Sequence, residues 1–250
     1  GCGECATCAS GEEQLCNRPC QLGIDVAGGY SDTLIVPHAR YLLDYGSLAK
    51  ELACTYTCSG LTAYSALNKV KSRTDGGKLL IMGAGGVGLA AMAIAKSVTD
   101  AEIYVADIDP AKREAGLQAG AIAAIDPSDP AAFKSFMGTT GGGVNATIDF
   151  VGAESSAAFG AKVLAKGGKL VIVGLFGGSF SMPLPMFPIK AMSVEGSYVG
   201  NLQEMRELME LAKAGKLNEL TIVPRPMKEA YNTLEDLRAG KVVGRVVLQS

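Results

Sequence analysis

The segment KLLIMGAGGVGLAAMAIAKSV, residues 78–98, joins a short unbroken apolar run to a glycine-rich turn and a run of small helix-forming residues. A bare GxGxxG pattern is weak evidence. Here Gly83, Gly85 and Gly88 follow a strand and open a helix, the context in which those spacings carry a mechanism. Gly83 permits the turn and Gly85 lets backbone N–H groups approach a pyrophosphate. Gly88 lets the helix pack close to the strand, with Gly86 and Val87 completing the turn, so that the helix amino terminus faces the anion. Nineteen residues beyond Gly88, where the strand EIYVAD ends, stands Asp107. Its carboxylate is placed to accept hydrogen bonds from both ribose hydroxyls and to repel an extra phosphate, which makes NAD rather than NADP the expected cofactor. Lys112, one turn into the next helix, is within reach of the adenosine ribose, although a solvated lysine is equally ordinary there.

The same alternation continues along the chain. After EIYVAD a helix starts at Pro110 with Asp109 as its cap, followed by strand AIAAI, a helix around Ala131–Phe136, strand ATIDFVG, helix SSAAFGAKVLA and strand KLVIVG. Repeated β-α units predict an α/β fold with a doubly wound parallel sheet covered by helices on both faces. Beyond it, SVEGSYVG reads as a last strand. Leu202, Met205, Leu208, Met209 and Leu211 mark one face of an amphipathic helix, and GRVVLQS reads as a terminal strand. Upstream, a helix is expected from Ser47 to the polar turn KSRTDGG. GGYSDTLIVPHARY, Gly28–Tyr41, is expected to form a small β lobe around TLIV.

The first sixteen residues, GCGECATCASGEEQLC, hold four of the seven cysteines. An odd total fits a disulfide framework poorly. Thiolates on tight turns bent by Gly1, Gly3 and Gly11 can converge on one soft cation, so Cys2, Cys5, Cys8 and Cys16 are expected to form a closed structural zinc site, with reduced thiols or local disulfides as the alternative. Cys20 is left as a spare thiol and Cys54 as a buried one.

With 48% apolar residues and a net charge of −2, the chain can bury one large core or two moderate ones and offers nucleic acid no electrostatic footprint. No apolar run reaches membrane-spanning length and no basic stretch leads into an apolar one at the start, so a cytoplasmic location is expected. The absent initial methionine suggests the later part of a longer polypeptide.

A four-cysteine knot ahead of a β lobe and an NAD-type α/β domain resembles the zinc-containing medium-chain alcohol dehydrogenases, over essentially the whole chain. The resemblance implies a partial GroES-like catalytic domain over residues 1–59, a Rossmann domain over 60–199 and a return to the catalytic domain over 200–250. CSGLTAYSAL resembles the segment that carries a ligand of the catalytic zinc, which gives Cys58 that role and sets Thr62 against the nicotinamide. VIVG and GSYVG look like the linings of the nicotinamide pocket. They bring in Val173 and Gly174, then Ser197, Tyr198 and Val199, together with Val151 in ATIDFVG, while Arg245 matches an arginine that pairs with the pyrophosphate. The family's other two catalytic ligands, a cysteine and a histidine, normally precede the knot. The single histidine here, His38, sits in another context and is expected to be a surface or packing residue.

The function implied is reversible hydride transfer between a primary or secondary alcohol and NAD, with zinc as Lewis acid on the alcohol oxygen and a homodimer or homotetramer as the assembly. The alternatives are a polyol or threonine-type dehydrogenase and a non-catalytic NAD-binding fragment or paralogue.

Overall fold

The computed structural model describes residues 1–249; Ser250, the last residue of the expected terminal strand, lies outside the described residues. Cys5 opens helix α1 (Ala6–Ala9), its sulfur accepting the Cys8 N–H. Helix α2 (Lys50–Thr55) runs through a π-helical turn, Tyr56–Gly60, into α3 (Leu61–Thr74). Alternation then follows: β1 (Lys78–Met82), α4 (Gly86–Ala95), β2 (Glu102–Ala106), α5 (Pro110–Gln118), β3 (Ala123–Ile125) and α6 (Ala132–Thr139). It continues with β4 (Val144–Asp149), α7 (Glu154–Lys162), β5 (Leu164–Ile172), α8 (Met186–Lys190) and β6 (Ser193–Gly196). After these come α9 (Leu202–Lys213), β7 (Ile222–Pro226), α10 (Ala230–Arg238) and β8 (Arg245–Gln249).

Six parallel strands form one sheet in the order β3-β2-β1-β4-β5-β6, the doubly wound arrangement expected from the sequence. The winding reverses between β1 and β4, which opens a crevice beyond their carboxyl ends. KLLIM reads as continuously apolar because both faces of its strand are covered. Leu79 and Ile81 enter the core beneath α3 and α4, whereas Leu80 and Met82 enter the opposite core with Phe136 and Leu164. Ile103 and Val105 against Tyr104 and Ala106 repeat that division on β2. Each large side chain so buried contributes about 1.5–3 kcal/mol.

The caps agree with the sequence pattern. Asp109 Oδ1 accepts the Ala111 N–H at 2.8 Å with Pro110 as the first residue of α5. Asn201 and Glu204 exchange capping hydrogen bonds at the start of α9, which buries Met205, Leu208, Met209 and Ala212.

Two features differ from expectation. Thr33–Val36 forms no strand, so the β lobe over Gly28–Tyr41 is absent, and Ile35 is 86% exposed. A strand must hand its N–H and C=O groups to a neighbour, and among the described residues TLIV has no ladder partner. His38 instead caps the 3-10 turn Ala39–Tyr41, its Nδ1 accepting the Arg40 N–H at 3.0 Å. Conversely, β7 was hidden by Pro224 and Pro226, which lack a backbone donor. The strand survives because it belongs to a two-stranded ladder and needs hydrogen bonds only toward β8.

An ion cluster ties α3 to the sheet. Glu195 on β6 accepts from Lys69 at 3.0 Å and from Lys169 on β5 at 2.9 Å, and Lys169 also donates to the Lys69 carbonyl. Lys169 first, then Lys69, holds the Glu195 carboxyl below its ordinary value. Because the folded state binds that proton less readily than the unfolded chain, this contribution is complete above the ordinary glutamate range and is lost progressively as pH falls from that range through the lowered folded value. In thermal melts, Glu195→Gln is therefore less stable than wild type near neutrality, and the gap closes in acid.

A methyl group on Gly88 would overlap the Gly83 carbonyl, whereas one on Gly138, within α6, meets nothing within 4 Å. Gly88→Ala is expected to cost about 1–3 kcal/mol or more by overpacking, and Gly138→Ala to stabilise by about 0.5–1 kcal/mol. Denaturant melts of the two variants check both signs.

Candidate functional site

The glycine turn is fixed at both of its sides. Gly83 adopts φ +88°, donates its N–H to the Ala106 carbonyl at 2.7 Å, and lies so close to Val151 that a Cβ would sit 2.7 Å from the valine Cγ2. Helix α4 begins at Gly86 with no side-chain cap on its first amides, and the space over Gly85 is open. These are the uncapped donors and the close approach that a pyrophosphate requires. Arg245, at the start of β8, reaches over from a distant part of the chain. Its Cδ and Nη1 lie 2.6 Å from where a Gly86 Cβ would stand, which puts a guanidinium beside the helix amino terminus. The turn, the free amides and the arginine fit a dinucleotide.

Asp107 follows β2. Its Oδ2 accepts the Ala84 N–H at 2.8 Å and its Oδ1 the Asp109 N–H at 2.9 Å, so the carboxylate is oriented by backbone and keeps lone pairs for a ligand. Arg113 pins the loop after it by donating to the carbonyls of Asp107 and Ile108 and to Asp126. Asp107 lines a cavity of about 430 Å³ with Lys112, Ser128, Val151, Ser155 and Phe176. The structure thus brings together three residues singled out in the sequence, Asp107, Lys112 and Val151.

One functional group escaped sequence reasoning. Asp149, fully buried at the end of β4, accepts the N–H groups of Val151 and Gly152 at 2.9 and 3.0 Å and the Ser156 hydroxyl at 2.8 Å. A buried carboxylate is tolerated when several donors meet it, and here it shapes the loop that carries Val151. That loop abuts Gly174, where a Cβ would collide with the Val151 and Gly152 backbone. ATIDFVG offered only an acid at the end of an apolar strand as a signal.

Val173, Gly174, Ser197 and Tyr198 line a second cavity of about 590 Å³. Ser197 is buried, and its hydroxyl has no hydrogen-bond partner among the described residues. Val199 sits at φ +48°, a left-handed conformation that costs a β-branched residue about 1–3 kcal/mol and persists only where neighbours impose it. Gly200 packs on Leu61, the residue before Thr62. Cys58 lies on the π-helical turn and is exposed. Cys54 is exposed as well, not buried as expected. It lies on α2, whose buried positions are Ala53 and Thr55, and so sits on the rim of a cavity shared with Thr57, Leu43 and Met209 instead of against the core.

At the amino terminus the sulfurs of Cys2, Cys5, Cys8 and Cys16 all lie within 4.8 Å of one another, with Cys2–Cys8 at 3.9 Å and Cys5–Cys16 at 3.8 Å. Thiolates about 2.3 Å from a tetrahedral zinc stand about 3.8 Å apart. The donor set and its spacing therefore fit zinc, whereas bonded sulfurs would be about 2 Å apart. Gly3 and Gly11, at φ +80° and +84°, make the bends. Backbone N–H groups of Glu4 and Cys5 draw the Cys2 thiol down to about 6. The Cys8 thiol, although the Gly3 N–H favours its thiolate, is pushed up to about 11 by burial and by the neighbouring sulfurs. Among the described residues this is the only group of three or more His, Cys, Asp or Glu side chains whose ligand atoms converge, and Cys58 stands outside it.

The family model described as zinc-binding dehydrogenase matches residues 86–214. An NAD-dependent alcohol dehydrogenase of Sulfurisphaera tokodaii is 37% identical over 249 residues, covering 98% of this chain and 71% of that protein. One of Saccharolobus solfataricus is 38% identical with the same coverage. The crystal structure of the alcohol dehydrogenase from Aeropyrum pernix superposes with a TM-score of 0.86 at 30% identity, over 99% of this chain and 73% of that one. Likeness at this level along nearly the entire sequence, together with a crevice built as its glycine turn predicts, means that the chain belongs to the zinc-containing medium-chain alcohol dehydrogenase family.

Proposed function

We propose that this chain is an NAD-dependent alcohol dehydrogenase that transfers hydride reversibly between a primary or secondary alcohol and the cofactor. The observation that carries this reading is the convergence of the Gly83–Gly88 turn, Asp107 and Arg245 on one crevice, in a chain 37% identical to an NAD-dependent alcohol dehydrogenase. Bound NAD would supply the hydride acceptor at its nicotinamide ring. In this reading Asp107 holds the adenosine ribose and rejects a 2′-phosphate, with Lys112 beside it. The first amides of α4 and Arg245 balance the pyrophosphate charge. Val87, Val173, Gly174 and Val199 wall the nicotinamide against water, while Thr62 and Ser197 offer it polar contacts.

Cys2, Cys5, Cys8 and Cys16 are assigned to a structural zinc. Four sulfurs fill a tetrahedron and leave no position for substrate, so this metal would stabilise a lobe that has only Cys16 buried among its first thirty residues. Cys58 is assigned as one ligand of a catalytic zinc. An open zinc site needs three protein ligands, and the described residues place no second and third beside Cys58, so no chemical step is derived through a metal there.

The division into residues 1–59, 60–199 and 200–250 is retained as part of the proposal, supported by the six-stranded sheet falling wholly within 78–196. A homodimer or homotetramer is proposed through the open edge of β6, near the exposed Leu175, Phe176 and Leu184. No helix among the described residues is long and apolar enough to cross a membrane.

Three measurements test this reading. With NAD and a panel of alcohols, NADH should form on simple primary or secondary alcohols. Turnover confined to polyols or threonine would move the substrate class, and cofactor binding without any turnover would support a non-catalytic role. Asp107→Ser should weaken NAD binding about tenfold or more, the equivalent of losing charged hydrogen bonds worth about 1.5–3 kcal/mol, and should narrow the gap to NADP. Metal analysis of Cys8→Ser should show loss of the structural zinc and a lower melting temperature. Acid should release that zinc from the wild type, because protons compete for the sulfurs.

A further inference from the structure

The cysteine lobe is fastened to the loop that carries Ser197, Tyr198 and Val199. Gln21 Nε2 donates to the Tyr198 hydroxyl at 2.8 Å. Glu13 Oε1 accepts the Leu202 N–H at 3.3 Å, and Glu12 Oε1 accepts from Asn201 Nδ2 at 3.4 Å. On its other side the same loop rests on α3, with Gly200 packed against Leu61. Between these two supports Val199 is held at φ +48°, a conformation that a free loop would abandon. The cavity beside it has walls from both partners: Glu12, Gln14 and Leu15 from the lobe, and Val173, Gly174 and Ser197 from the sheet.

We propose that Glu13 and Gln21 are positioning residues that set the nicotinamide-side loop, so that the cysteine lobe governs how the nicotinamide half of the cofactor is held while the adenosine half is indifferent to it. The inference rests on the NAD reading above. The adenosine side is organised by Asp107, Arg113 and the turn after β1, none of which touches the lobe through a hydrogen bond among the described residues. On the nicotinamide side Val173, Gly174 and Ser197 are held by backbone bonds to Asp149 and Ile172, but among the described residues the hydrogen bonds of Tyr198–Leu202 outside α9 come from its capping pair, Asn201 and Glu204, and from the lobe, and Asn201 is itself engaged by Glu12.

The test uses the whole chain and two probes, NADH and ADP-ribose, the latter lacking the nicotinamide. In the double variant Glu13→Ala/Gln21→Ala, hydrogen exchange at residues 198–202 should quicken about tenfold, in line with two lost hydrogen bonds. NADH affinity should fall about tenfold, and ADP-ribose affinity should stay within about twofold of wild type. The conservative pair Glu13→Gln/Gln21→Glu keeps an acceptor for the Leu202 N–H and a partner for the Tyr198 hydroxyl, and should restore NADH binding. Equal losses for both probes, unchanged NADH affinity or unaltered exchange would each overturn the positioning role. A wild-type chain that binds neither probe would instead remove the cofactor reading, and this role with it.

Discussion

The structure turns on the contact between Gly88 and the carbonyl of Gly83. Because neither glycine carries a side chain there, α4 begins against the end of β1 and its unpaired amides face the crevice where the sheet reverses its winding. The surrounding interactions depend on that placement. Asp107 fixes the turn through the Ala84 N–H, Val151 closes over Gly83, and Arg245 arrives from the last strand to lie on Gly86. The apolar layers on both sides of β1 and β2 supply the free energy that keeps this arrangement in place.

The amino-terminal lobe works on a different principle. It has almost no apolar core, and its shape comes from four sulfurs gathered by tight turns and by N–H donors aimed at them. From this lobe Glu13 and Gln21 reach the loop between β6 and α9, where they bond to the Leu202 N–H and the Tyr198 hydroxyl.

Local pattern made much of this visible. KLLIM, the glycine spacing, the acid at the end of EIYVAD and the cysteine run each declare a conformation or a chemistry within a few residues, and the parallel, doubly wound sheet follows from the alternation of strands and helices. What local pattern could not show was pairing. TLIV has strand-forming residues but no ladder partner, and β7 has a partner despite two prolines. The Asp149 cradle depends on how a loop folds back over its own strand end. The π-helical turn at Cys58 and the left-handed Val199 are imposed by packing, not propensity. The lobe contacts span 177 residues between Gln21 and Tyr198 and 189 between Glu13 and Leu202, far beyond any sequence period.

The most direct test of the account is a calorimetric titration of the unaltered chain with NADH and, separately, with NADPH. One NADH site per chain is expected, with NADPH binding at least about tenfold weaker, because in the proposed reading the Asp107 carboxylate, which lines the cavity after β2, repels the extra phosphate. Absence of NADH binding, or equal affinity for the two cofactors, would contradict it.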